Sequence, residues 1–195
     1  MIQLNKKPLK KLKTLIDTSK YEVWCQDECH FHQNGTRCKM WIPPEVKEPI
    51  AFHESNRKKV SIFGSVNTHN GNFVYKFSNI FNAETFLDHL KQLILQKPKW
   101  KKILLILDNA RYHHAIMIRP WLEENKRKIK LLFLPPYSPK LNPAELIWKF
   151  SRYSVTHNRY FPTIDHLSKA LEKKFGDWVG PNDELQSLCK ISYVV

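Results

Sequence analysis

Ile103-Leu104-Leu105-Ile106-Leu107-Asp108 is the stretch on which the fold turns. Five aliphatic residues in succession leave no polar face, which suits a central strand covered on both sides. The run ends on a carboxylate, and in sheets with parallel strands ligand sites gather at the carboxyl ends. Downstream, residues 115–125 read as a helix that Pro120 must start or kink. Residues 129–134 form a second buried strand, and the stiff loop Pro135-Pro136-Tyr137-Ser138-Pro139 follows. A helix begins near Pro143 and runs toward His157, and a last one covers about residues 164–177. Upstream, Asn82 can cap a helix in which Phe86, Leu87, Leu90, Leu93 and Ile94 keep helical spacing, with Pro98 ending it.

The opening of the chain has a different period. Residues 21–32 alternate as a strand, with Val23, Cys25 and Asp27 on one face and Trp24, Gln26 and Glu28 on the other. Asn34-Gly35 offers a tight turn, so residues 37–42 are expected to return as its partner strand, followed by a proline-containing loop over 43–56. Residues 60–67 and 73–77 form a second hairpin about Asn70-Gly71. An all-β opening followed by α-β-α-β-α predicts an α/β mixed sheet, three antiparallel strands plus two parallel ones, flanked by helices. That is the layout of the ribonuclease H-like fold. Residues 1–20 read as a basic arm, 21–160 as the main domain and 161–195 as a C-terminal helical extension.

Composition bounds the function. With 195 residues, 42% of them hydrophobic, and only five glycines, the chain can bury a core, which excludes disordered and collagen-like classes. A net charge of +14 points to a polyanionic partner, most often nucleic acid. No apolar stretch is long enough to span a bilayer, and residues 1–20 carry six lysines and no apolar core, so neither a membrane span nor a signal peptide is expected. Four irregularly spaced cysteines argue against a disulfide framework and for a reducing, cytoplasmic, nucleoid-associated setting. Cys25, Cys29, His30, His32 and Cys38 lack the paired knuckles of a zinc site.

Three carboxylates sit where metal chemistry would want them. Asp27 lies mid-strand on a half-buried face, Asp108 ends the central strand, and Glu145 opens the helix after the proline loop. Each has a structural alternative: Asp27 could pair with a lysine, Asp108 could cap a turn, and Glu145 could close a capping box with Asn142. Glu28 rivals Asp27. Together, at the ends of the right elements, the three favour a hard-cation site. Two Mg2+ or Mn2+ ions roughly 3.5–4 Å apart could activate a water or a 3′-hydroxyl and stabilise the leaving oxygen of a phosphodiester.

Gln26-Asp27-Glu28-Cys29-His30-Phe31, Leu107-Asp108-Asn109-Ala110-Arg111-Tyr112-His113, and the run from Leu134 to Glu145 that ends Asn142-Pro143-Ala144-Glu145 resemble the DDE transposases. The resemblance is to the mariner-like superfamily and its bacterial insertion-sequence branch, over about residues 20–160. It implies metal-dependent cleavage at transposon ends and strand transfer into target DNA, within a homodimer or larger synaptic assembly. It assigns the triad and the metal ligands to Asp27, Asp108 and Glu145, choosing Asp27 over Glu28. Asp108 and Glu145 have 36 residues between them, slightly more than the family's spacing. Such transposases usually carry N-terminal helix-turn-helix domains, and this chain starts almost at the catalytic domain, so that recognition domain is expected to be absent. A ribonuclease H-like nuclease without strand transfer, and an inactive DNA-binding remnant, are the competing readings. Lys149 and Arg152, four and seven positions after Glu145, and His113, five after Asp108, complete the expected DNA-binding set.

Overall fold

The computed structural model describes residues 20–39, 41–46, 57–96, 100–136 and 138–190. All but Lys20 of the basic arm expected over 1–20, the Pro98 helix stop, Tyr137 of the proline loop, and most of the loop over 43–56 lie outside them. Five strands form one sheet: β1 (Tyr21–His32), β2 (Lys59–Asn67), β3 (Phe73–Ser78), β4 (Lys102–Leu107) and β5 (Ile129–Phe133), in the order β3-β2-β1-β4-β5. β1, β2 and β3 pair antiparallel, while β1, β4 and β5 run parallel. This is the ribonuclease H-like mixed sheet expected from the order of elements.

Helices cover both faces. Between β3 and β4 runs α1 (Ala83–Ile94), capped by Asn82: its Oδ1 accepts from Thr85 N at 2.9 Å, and Thr85 Oγ1 returns an acceptor to Asn82 N at 3.1 Å. Two 3-10 turns, Arg111–His114 and Ile116–Ile118, follow β4 and lead into α2 (Arg119–Glu124), which Pro120 starts. After β5 come α3 (Ala144–Ser151), α4 (Ile164–Gly176) and α5 (Asp183–Cys189). α3 widens at its end into a π turn over Arg152–Thr156, where His157 N donates to Arg152 O at 2.7 Å.

The period-two alternation of β1 divides the core. Val23, Cys25, Cys29 and Phe31 pack with Ile147 and Trp148 of α3, Leu167, Leu171 and Phe175 of α4, and Leu185 of α5. Phe161, Leu167, Leu171, Phe175, Trp178, Leu185 and Cys189, from the stretch expected as a C-terminal extension, are thus part of this core. Trp24 faces the other way, with Phe63, Leu105 and Leu107, against Phe86, Leu90 and Leu93 of α1. β1 holds the centre of the sheet, and β4, buried on both faces, is an interior strand between β1 and β5, as its unbroken apolar run requires.

One expected strand is corrected. The turn at Asn34-Gly35 forms, with Gly35 at φ +56° and its N–H donated to His32 O at 3.0 Å, but the described part of 37–42 does not return along β1. That place belongs to β2, with Asp27 opposite Gly64. The chain after Gly35 instead crosses to the end of α3. Thr36 bridges His157, and Asn158 both donates to Cys38 O and accepts from Cys38 N at 2.9 Å. A side-chain amide there imitates a strand partner.

Candidate functional site

β1 and β4 run parallel with Cys25 opposite Ile106. Continuing that register by two residues brings Asp27 level with Asp108, just past the end of β4. α3 enters from the proline loop with Glu145 in its first turn. Asp27, Asp108 and Glu145 line one cavity of about 400 Å³, together with Asn109, Pro135, Pro136 and Asn142. Their oxygens do not all lie within 4.8 Å of one another, so the three carboxylates stand around the cavity rather than closing on a point.

The loop is tied down by amides. Asn142 is buried; its Nδ2 donates to Gln26 O at 2.8 Å and its Oδ1 accepts from Ala144 N at 3.2 Å. Asn109 Nδ2 donates to Leu134 O, joining the ends of β4 and β5. Asn142 therefore anchors the start of α3 to the back of the very strand that carries Asp27. The capping box weighed as the structural alternative for Glu145 is not formed, because the Asn142 amide is turned to Gln26 and Pro143 occupies the cap. Glu145 is exposed in the cavity wall.

Asp27 is held by Trp148, whose Nε1 donates to Oδ2 at 3.0 Å, and no lysine pairs with it among the described residues. Burial, with Glu145 and Glu28 adding like charge, pushes its pKa from 3.8 to about 8. Asp108 is half exposed. Its Oδ1 accepts from Ala110 N at 2.9 Å, so the turn-capping alternative is real, and lies 3.1 Å from His113 Nδ1. The His113 hydrogen bond holds its pKa below the usual carboxylate value, against the opposing effect of partial burial.

His113, expected in the DNA-binding set, has a fully enclosed side chain. The 3-10 turn after Asp108 folds it beneath the sheet end, where Nε2 meets Glu28 Oε1 at 2.9 Å. Burial alone would depress its pKa, but hydrogen bonds to Asp108 and Glu28 outweigh it and raise the value to about 9. Arg152, also expected in the DNA-binding set, is half-buried. It points at Cys29 Sγ, 2.9 Å away, with its guanidinium 5.5 Å from the centre of the Phe31 ring. Burial pushes the Cys29 thiol up to about 12 despite that cation. Lys149 is exposed one turn past Glu145, and no ion pair joins the two among the described residues.

Sequence reasoning treated Glu28 only as a rival of Asp27 and missed its own place. Alternation sets it on the opposite face, where Gln26 Nε2 also donates to it at 2.9 Å. Among the described residues, Glu28, Asp108 and His113 are the only metal-ligand types whose donor atoms all lie within 4.8 Å of one another. The cysteines and histidines around Cys25 and Cys38 form no such group.

The donor set around the cavity consists of carboxylate oxygens, which suit a hard divalent cation, and the raised Asp27 pKa reflects burial first and the neighbouring Glu145 and Glu28 charges second. Among the described residues no helix is long and apolar enough to cross a membrane.

A protein-family model described as DDE superfamily endonuclease matches residues 22–168. Among curated proteins, the chain is similar to the insertion element IS630 uncharacterized 39 kDa protein of Shigella sonnei, 25% identical over 164 residues, covering 84% of this chain and 47% of the relative. It is also similar to the transposable element Tc3 transposase of Caenorhabditis elegans, 26% identical over 192 residues, covering 94% of this chain and 57% of the relative. The chain thus spans about half the length of these two relatives. Among solved structures, the mariner Mos1 paired end complex with Mg superposes with a TM-score of 0.68 at 18% identity, over 97% of this chain and 62% of that one. That likeness concerns the fold, and it agrees with the ribonuclease H-like sheet.

Proposed function

Since this chain belongs to the DDE superfamily endonucleases, we propose that it works as the catalytic domain of a transposase, cutting DNA at transposon ends and joining the freed 3′ end to target DNA. The observation that carries this reading is the meeting of Asp27, Asp108 and Glu145, from two adjacent strands and the following helix, in one cavity. These three would hold the divalent cations, Mg2+ or Mn2+ in a pair, and Asp27 would give up its proton on binding. Bound there, such ions lower the pKa of an attacking water or 3′-hydroxyl and offset charge on the leaving oxygen.

The chain's own residues supply the setting. Trp148 fixes Asp27 from the core side, and Ala110 N–H and His113 fix Asp108 from the loop side. Asn142 sets the helix that presents Glu145. Lys149, exposed on that helix, would meet a backbone phosphate, and the +14 net charge supports DNA as the partner. Transposition joins two ends, so the working form would be a homodimer or larger synaptic assembly; the Mos1 structures similar in fold are described as paired-end complexes.

The test uses labelled transposon-end DNA with Mg2+ or Mn2+, scoring nicking and joining separately. Metal-dependent nicking followed by joining is expected. Nicking without joining would reduce the chain to a nuclease, and neither, with DNA still bound, would leave a remnant.

A further inference from the structure

We infer that Glu28 is a positioning residue: from the opposite face of the sheet it holds His113, and through His113 it fixes the orientation of the Asp108 carboxylate. The inference rests on the functional reading above, in which Asp108 is a metal ligand. Asp108 stands beyond the end of β4, and its side chain is 55% exposed. A carboxylate so placed turns freely about its last bond unless donors hold one oxygen. Two do: Ala110 N–H and His113 Nδ1 both approach Oδ1, at 2.9 and 3.1 Å. Oδ2 is left as the oxygen available to a cation.

His113 can hold that oxygen only while its ring keeps its orientation. A half-turn about its Cβ–Cγ bond would present carbon to Asp108 at little steric cost. Glu28 prevents this by engaging the other nitrogen, Nε2, at 2.9 Å. Glu28 is itself fixed, with its side chain 10% exposed and Gln26 Nε2 donating to it at 2.9 Å. The His113 ring lies against Phe86 and Tyr112, with centroids 4.3 and 4.5 Å away, which limits tilting. The chain of contacts is therefore continuous from the β1 face opposite Asp27 to the metal-facing carboxylate. Partners that orient ligands in this way change metal affinity or activity by about 10–100-fold when removed.

Glu28→Ala removes the acceptor, whereas Glu28→Gln keeps an oxygen for Nε2. Two readouts decide. In the metal-free chain, proton NMR should give two hydrogen-bonded ring N–H signals from His113. Both should vanish in Glu28→Ala and persist in Glu28→Gln. With duplex DNA bound, Mn2+ titration followed by the EPR signal of free Mn2+ should show affinity down about 10–100-fold in Glu28→Ala, and within about threefold of the parent in Glu28→Gln, at unchanged DNA affinity. A persisting Nδ1–H signal in a folded Glu28→Ala variant would overturn the inference, as would parental Mn2+ affinity in that variant. Equal loss in both variants would overturn it too. Should the parent chain bind no Mn2+ even with DNA, the functional reading fails, and the ring N–H signals still decide whether Glu28 orients His113.

Discussion

Gly64 lies directly across from Asp27 in the β1–β2 ladder, and its missing side chain is where Trp148 rests. A Cβ built at Gly64 would lie 2.4 Å from Trp148 Cη2, 2.8 Å from Cζ2 and 2.9 Å from Phe73 Cζ. Carbon atoms pack at about 3.5–4.0 Å, so in Gly64→Ala the indole must recede by about 1 Å. The same indole donates to Asp27 at 3.0 Å, and that retreat breaks the bond. Overpacking costs about 1–3 kcal/mol and the lost bond about 1 kcal/mol. The stiffer unfolded chain returns about 0.4–1 kcal/mol. The net expectation is a loss of about 2–3 kcal/mol, a fall in Tm of about 5–10 °C for a chain of this size. Urea unfolding followed by tryptophan fluorescence measures it. Trp148→Phe removes both clashing ring carbons, so Gly64→Ala should cost at least about 1 kcal/mol less in that background. A Gly64→Ala variant within 0.5 kcal/mol of the parent, taking ~0.5 as the usual scatter of surface changes, would refute the reasoning, as would strict additivity with Trp148→Phe.

The remaining predictions concern protons and salt. Folded Asp27 holds a proton that the unfolded chain releases, so its contribution is full below about pH 4 and is lost as pH rises to about 8. Metal-free stability should therefore fall by several kcal/mol over that range, and His113, raised to about 9, adds to the fall above its ordinary 6.5. Mg2+ should raise Tm at pH 8 and hardly at pH 5, and Asp27→Asn should remove the part of the slope below pH 6.5; thermal melts across pH check both. DNA affinity should fall steeply with salt, and Lys149→Ala should lower the slope of log K against log salt by about 1, as read by fluorescence anisotropy.

What could be read in the sequence follows from how local each signal is. The apolar run before Asp108 has no polar face in any register, so a doubly covered strand was legible from six residues. Alternation along β1 likewise sorted Asp27 from Glu28 onto opposite faces before any partner was known. Residues 37–42 failed for the opposite reason. Asn34-Gly35 is a sound turn, but its hairpin partner was displaced by β2 and by the amide of Asn158, about 120 residues away. His113 carried only its spacing from Asp108. A 3-10 turn decides that it reaches under the sheet to Glu28, and nothing in the residues themselves reports that turn. Trp148 over Gly64 is a contact between a helix and a strand more than 80 positions apart, legible only once both are packed.

The central claim is that Asp108 serves a cation and not merely a turn, and Asp108→Asn tests it most directly. The amide keeps an oxygen for Ala110 N–H, so the turn survives, while the charge that would bind metal is gone. The measurement is the rate of Mg2+-dependent cleavage of transposon-end DNA by the purified variant, with its melting temperature and DNA affinity taken alongside. Collapse of cleavage in a folded variant that still binds DNA is the predicted result; cleavage near the parental rate would contradict the account.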